Sequence, residues 1–151
     1  MRVWRITRSL HAANPLSGEG AARYANRWNS KGVRVAYTSI SRSLAVLEML
    51  VHVTRDTFPA DPVLIPIEVP DELIAELKIL PDHWNEYPHR QTSRDAGGRW
   101  VREARSAALL VPSAVLPSER NLLINPRHPD FSRILVNRPE EGGLDPRLFQ
   151  P

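Results

Sequence analysis

"RWNSKGVRVAYTSISRSLAVLEMLVH", residues 27–52, is the stretch on which the fold turns. Its first half ends in "VRVAYTS", residues 33–39, whose alternation and β-branched content read as a strand. Ser39 or Ser41 then stands where a helix N-cap belongs. The following residues, 42–53, are apolar on most faces, which predicts a buried helix. Leu44, Leu47 and Val51 recur at helical spacing, and Glu48 occupies the i+4 slot of that stripe. An ionised carboxylate buried without a partner costs more than a small domain can spare. Periodicity alone leaves two accounts open. Glu48 is either half of a structural ion pair with Arg27 or Arg42, or a carboxylate aimed into a ligand pocket.

Outward from this stretch the chain alternates between short strands and short helices. Upstream, "VWRITR" is a first strand, and residues 11–32 are a long polar segment of irregular loop or short helical turns. Downstream, "PVLIPIEVP" is a strand in which Pro66 predicts an edge position or a bulge. "DELIAEL" reads as a short helix opened by acidic residues, and residues 81–98 as a second loop. "RWVREARS" reads as a short helix, "AALLVPSAV" as a strand up to its proline, and "NLLIN" as another strand. "HPDFSRILV" holds a turn of helix and a final strand, and "EEGGLDPRLFQP" is peripheral. The fourteen prolines favour short elements. Without a regular βαβ rhythm, the class is α+β rather than doubly wound.

A length of 151 residues with 42% hydrophobic content fits one domain, residues 1–151, with a real core. Neither a membrane-length apolar run nor a signal peptide is present, so a cytoplasmic location is expected. Cysteine is absent, which removes disulfide and thiolate chemistry. The net charge of +3 and pI near 9.8 are carried by arginine, since Lys31 and Lys78 are the only lysines. These charges are scattered among acidic residues. A non-enzymatic nucleic-acid-binding module is therefore the weaker account: no helix-turn-helix pattern or basic stripe with interleaved aromatics supports it.

Nucleotide-binding loops of the GxxxxGK[ST] or GxGxxG type, HExxH and GxSxG are all missing. His83 and His89 have no zinc-site spacing. What remains is Arg27 and Trp28 before a strand, Tyr37 near its end, Glu48 on the next helix and Arg5 in the first strand. A guanidinium fork beside aromatic rings suits an anionic, planar ligand, because the fork binds phosphate oxygens and rings stack on a base. Each also has a plainer reading. Tyr37, Trp28 and Trp100 suit core packing, and Ser113 suits a turn.

Residues 27–52 resemble the signature of the RES-domain toxins, a family named for an arginine, a glutamate and a serine. "LLVPSAVLPSERNLLINPRHPDF", residues 109–131, resembles that family's C-terminal signature, and "WRI" near the start extends the likeness over nearly the whole chain. The resemblance implies an ADP-ribosyltransferase-like α+β fold, with mixed, strongly twisted small β-sheets and flanking helices. It also implies the toxin half of a bacterial type II toxin–antitoxin pair that cleaves the nicotinamide–ribose bond of NAD. The activity is then NAD glycohydrolase or phosphorylase, with ADP-ribosyltransferase toward a protein as the alternative. NAD is a substrate, and neither cofactor nor metal is expected. The implied partner is an Xre-like helix-turn-helix antitoxin that blocks the site; no direct nucleic-acid or membrane binding is expected.

Carried onto this chain, the family's arginine falls on Arg27, its tyrosine on Tyr37, its glutamate on Glu48, its serine on Ser113 and an early arginine on Arg5. The implied roles are cation stabilisation by Glu48, pyrophosphate binding by Arg27 with Arg5, and stacking on nicotinamide by Tyr37. Trp28 walls the pocket, and Ser113, with Asn121 as a further candidate, orients ribose or Glu48. The family's Gly-Gly before the arginine is Ala25-Asn26 here, which implies a different loop shape. "GGRW" at Gly97–Trp100 is a decoy, because no tyrosine-bearing strand follows it.

Overall fold

Strand β1 (Arg2–Arg8) joins the two halves of the sheet. In the computed structural model, which describes residues 1–54 and 56–149, β1 pairs along its whole length with β3 (Pro62–Glu68), from Arg2↔Glu68 to Arg8↔Pro62. Its contact with β2 (Ala36–Ser39) is a single register pair, Trp4↔Ser39. Beyond β2 the sheet runs antiparallel into β6 (Arg120–Ile124) and β5 (Ala108–Pro112), then parallel into β4 (Ile74–Glu76). On the far side, β7 (Leu135–Val136) and β8 (Glu140–Glu141) both pair with β3. The order is β4-β5-β6-β2-β1-β3-β7, with β8 beside β3. A single mixed, mostly antiparallel sheet, its two halves joined through one register pair, with a few helices is the expected α+β class.

Residues paired across antiparallel strands share a face, and neighbours along a strand alternate. One face carries Val3, Ala36, Ile65, Ile67, Leu122 and Ile124, sealed by Leu16, Leu73 and Ile134. The other carries Trp4, which packs on Ala45 of helix α2 (Arg42–Leu50), and Leu109, Val111 and Leu123, which pack with Trp28 and Trp100. Trp100 belongs to helix α3 (Gln91–Glu103). Helix α1 (Glu19–Arg23) interrupts the long polar segment. No helix among the described residues is long and apolar enough to cross a membrane.

Several expectations are corrected. Helix α2 ends at Leu50 and is not buried along its stripe: Leu44 and Ala45 are buried, but Leu47 is 38% and Val51 57% exposed. It packs on Trp4 through its N-terminal half, while Glu48, Met49 and Leu50 in the later turn are only partly buried. The expected helix over 71–77 is one 3-10 turn, Asp71–Leu73, after which Ile74 pairs with Ala108. Residues 91–98, read as loop, are the first half of α3. Gly97 and Gly98 lower helix propensity, but a Cβ on Gly97 would lie 1.9 Å from the Trp28 carbonyl, so the close approach requires glycine. The GGRW run is therefore helix interior. Pro66 is not on an edge strand: β3 lies between β1 and its β7 and β8 partners. Those partners cover residues 67–68 and 63–64. Pro66 sits in the gap between them, where no N–H is required, and its carbonyl accepts from Asn137 N–H at 2.9 Å. Part of the tail is structural, since Glu140 of β8 pairs with Arg42 at 2.6 Å; Gln150 and Pro151 lie outside the described residues.

Candidate active site

Ser41 fixes the start of α2. Its Oγ accepts from Leu44 N–H at 3.1 Å as an N-cap and donates to Glu119 Oε2 at 3.0 Å. Glu48 follows two turns later, half-buried. Its Oε1 accepts from Ser113 Oγ at 2.7 Å and from Asn121 Nδ2 at 2.5 Å. Ser113 is fully buried, and its Oγ also accepts from Val115 N–H at 3.1 Å and Leu116 N–H at 2.9 Å. Ser113 is thus both the turn residue after β5 and a donor to the carboxylate. Asn121 lies opposite Ser39 in the ladder, and Ser39 Oγ donates to Asn121 Oδ1 at 2.7 Å, which fixes the amide's orientation.

The ion-pair account of Glu48 does not hold. Arg42 pairs with Glu140, and its guanidinium lies 4.1 Å from the Trp4 ring centroid. Arg27 makes no ion pair with Glu48 within 4 Å, although the two charges face each other closely enough for Glu48 to favour the charged arginine against its burial. Both hydrogen bonds fall on Oε1, so Oε2 carries none among the described residues. A carboxylate with one anchored and one free oxygen is oriented and still able to act on something else.

Tyr37 stands on the same sheet face as Ser39, two residues along β2. Its hydroxyl donates to Asn29 Oδ1 at 2.8 Å and accepts from Trp28 N–H at 3.1 Å. Burial, the largest influence, pushes the phenol well above its usual value of 10.0. The hydroxyl is occupied by the protein, so the ring is what Tyr37 can offer a ligand. Asn29 is fully buried, and its amide also donates to Ala21 O at 2.8 Å and Ser30 O at 3.1 Å. It ties the loop before β2 to the Tyr37 phenol. Trp28 is buried and stacks on Trp84, with ring centroids 6.2 Å apart and an interplanar angle of 19°.

Arg27 Nη1 donates to Trp84 O at 2.5 Å and Glu86 O at 3.0 Å. One corner of the guanidinium thereby holds residues 84–86 against the site. Its Nε and Nη2 have no hydrogen bond among the described residues, leaving the bidentate edge for an anion. Burial lowers its pKa, while Glu48 and Tyr37 act the other way.

Arg5 is not brought to this cluster. Alternation puts it on the Val3 face, opposite Glu48 and Tyr37. Its Nη1 donates to Tyr37 O at 2.8 Å across the splay between β1 and β2, its Nε is buried without a partner among the described residues, and burial lowers its pKa. It lines a separate cleft of about 270 Å³ with Thr7, His11, Asn14 and Arg23.

The structure therefore unites Arg27, Trp28, Tyr37, Glu48, Ser113 and Asn121 and sets Arg5 apart. Sequence reasoning missed Asn29 and Ser39. Asn29 was signalled only by its place after Arg27-Trp28, and Ser39 only by a strand register.

The RES domain family model matches residues 2–145. The chain is 40% identical over 154 residues to the "Prs ADP-ribosylating toxin" of Sphingobium sp. (strain YBL2), covering 97% of this chain and 96% of that one. It is 37% identical over 151 residues to "Toxin Res" of Yersinia enterocolitica, covering 98% and 99%. Among solved structures, a chain of the Mycobacterium tuberculosis MbcT-MbcA toxin–antitoxin complex superposes with a TM-score of 0.74, over 98% of this chain and 86% of that one. At 20% identity that likeness speaks for the fold alone.

Proposed function

The chain belongs to the RES-domain family, and from that membership and the Glu48 cluster we propose that it is the toxin of a bacterial type II toxin–antitoxin pair that cleaves the nicotinamide–ribose bond of NAD. The observation that carries this reading is the Glu48 carboxylate. Ser113 and Asn121 hold it through Oε1, Oε2 carries no hydrogen bond among the described residues, and the charge lies near enough to act on Arg27 and Tyr37.

Breaking the bond develops positive charge at the ribose carbon, as in glycoside hydrolysis. A preoriented carboxylate stabilises that charge without reorganising at the moment of reaction. Glu48 Oε2 fills this role, and the Ser113 and Asn121 donors keep it from rotating away. The electron pair of the breaking C–N bond returns to the pyridinium ring, so nicotinamide leaves neutral and needs no metal. The Tyr37 ring stacks on nicotinamide, the free edge of Arg27 holds a pyrophosphate oxygen pair, and Trp28, buried in the core, supports Tyr37 by donating its backbone N–H to the phenol oxygen. Arg5, on the opposite face of the sheet, supports the site only by donating to the Tyr37 carbonyl.

Water, phosphate and a protein side chain are the acceptors to separate. The name of the Sphingobium relative favours a protein acceptor as the second reading. Labelled NAD incubated with the purified protein, with and without phosphate and cell lysate, distinguishes free ADP-ribose, its phosphate ester and a labelled protein band. Absence of all three products would sink the enzymatic reading and revive a binding module, which predicts steeply salt-dependent nucleic-acid affinity instead. The partner is an Xre-like helix-turn-helix antitoxin that covers the site. Leu47 in α2 and Val51 just after it, both exposed, supply apolar surface for it.

A further inference from the structure

Arg27 stands at the tip of a loop whose two flanks are fastened to one side chain. That side chain is Asn29, fully buried two residues further on. Its Nδ2 donates to Ala21 O at 2.8 Å and Tyr24 O at 3.3 Å before the tip, and to Ser30 O at 3.1 Å after it. Its Oδ1 accepts from the Tyr37 hydroxyl at 2.8 Å and from Asn26 Nδ2 at 3.2 Å. Asn26 closes the loop a second time. Its backbone N–H donates to Asn29 O at 2.9 Å, and its side chain also donates to Tyr24 O at 3.1 Å. On the other side of Arg27, Trp28 N–H donates to the Tyr37 hydroxyl, and the Trp28 carbonyl lies against Gly97 of α3.

Between α1 and β2 the chain forms neither helix nor strand, so side-chain hydrogen bonds set its shape. A buried amide is costly unless its polar atoms are paired. This one is paired at both ends, and with groups from both flanks of the loop and from β2. The network therefore fixes the Arg27 backbone relative to Tyr37. The far end of the same side chain is fixed by Trp84 O and Glu86 O, which accept from Nη1. With root and tip both held, the unbonded edge of the guanidinium has one orientation to offer. The Tyr37 hydroxyl is one anchor among several: without it the Asn29 amide still holds Ala21 and Ser30.

We propose that Asn29, with Asn26 as a second peg, is a positioning residue that sets the Arg27 guanidinium at a fixed distance from the Tyr37 ring, so that NAD meets both without rearrangement of the loop. This rests on the NAD reading above. Neither asparagine touches substrate; each acts through Arg27. Preorganisation removes an ordering cost from binding. Glu48 has its own supports in Ser113 and Asn121, outside this network. Loosening the loop therefore acts on KM more than on kcat.

The test is nicotinamide release from NAD by the parent, Asn26→Ala and Asn29→Ala, each assayed well below its own melting temperature. Asn26 is only half-buried, and Asn26→Ala removes two hydrogen bonds while leaving the buried amide in place. Its KM should rise about threefold, with a smaller change in kcat. Asn29→Ala should raise KM about tenfold or more and lower the melting temperature. A purely structural role would lower melting temperatures and leave the KM of the folded enzyme where it was. Calorimetry supplies a second readout. Affinity for ADP-ribose, which depends on Arg27, should fall in step with the rise in KM, whereas affinity for nicotinamide, which depends on the Tyr37 ring, should change less. Parent values of KM and ADP-ribose affinity in Asn26→Ala, or in folded Asn29→Ala, would overturn the positioning role and leave the NAD reading standing. A parent protein that neither releases nicotinamide nor binds ADP-ribose would reject the NAD reading and the positioning role with it.

Discussion

At the scale of single residues, Glu48 shows what a sequence can pose and cannot answer. Its place in an apolar stripe raised the question of a partner, but its partners are 65 and 73 residues away in the chain. No periodicity reaches that far; only the β2–β6 ladder and the turn after β5 bring them together. Ser113→Ala removes one donor to Oε1 and the acceptor for Val115 and Leu116, so it should lower both turnover and stability; an unchanged turnover number would refute its orienting role. Tyr37 makes a sharper case. Tyr37→Phe keeps the ring but leaves Trp28 N–H unsatisfied, a cost of about 1–3 kcal/mol in stability. NAD affinity by calorimetry should be largely retained in Tyr37→Phe and lost in Tyr37→Ala. Equal losses in both variants would show that the hydroxyl, not the ring, binds substrate. The raised phenol pKa adds a pH signature. Above pH 10 an unfolded tyrosine ionises while the folded one stays protonated, so this group makes folding less favourable as pH rises. Tyr37→Phe should flatten that alkaline fall in denaturant titrations.

At the scale of elements, the strands were largely legible because alternation survives in short runs, and α2 was legible because Ser41 and an apolar stripe announce it. The extent of its burial was not, because a stripe does not say how far the sheet beneath it extends. Helix α3 was hidden for a physical reason: the glycines that weaken its local signal are what let it approach Trp28. Gly97→Ala should therefore cost about 1–3 kcal/mol or more by overpacking against the Trp28 carbonyl. It should also displace the Arg27–Trp28 loop, so activity falls along with melting temperature. Ser41→Ala tests a milder device. Loss of the cap should cost about 1 kcal/mol, a fall of about 2–4 °C in melting temperature for a chain of this size. No change would mean that the Leu44 N–H is satisfied some other way.

At the scale of the whole molecule, the sheet sorts the chain into two faces, and the candidate site belongs to one of them. Likeness to a family placed Arg27, Tyr37, Glu48 and Ser113 together before any coordinate did, but it also grouped Arg5 with them, and strand alternation puts Arg5 behind the sheet. That separation was not legible because one register pair, Trp4↔Ser39, decides how β1 meets β2. The basic charge read as scattered among acidic residues, and the structure agrees: Arg2, Arg42 and Arg133 pair with Glu68, Glu140 and Glu72 at the surface, whereas Arg27 faces Glu48. The central claim is that this carboxylate stabilises the cation formed when NAD is cleaved. The most direct measurement is nicotinamide release from NAD by the purified parent and by Glu48→Ala of matched melting temperature. The account predicts release by the parent and loss of it in the variant; release by folded Glu48→Ala at the parent rate would contradict it.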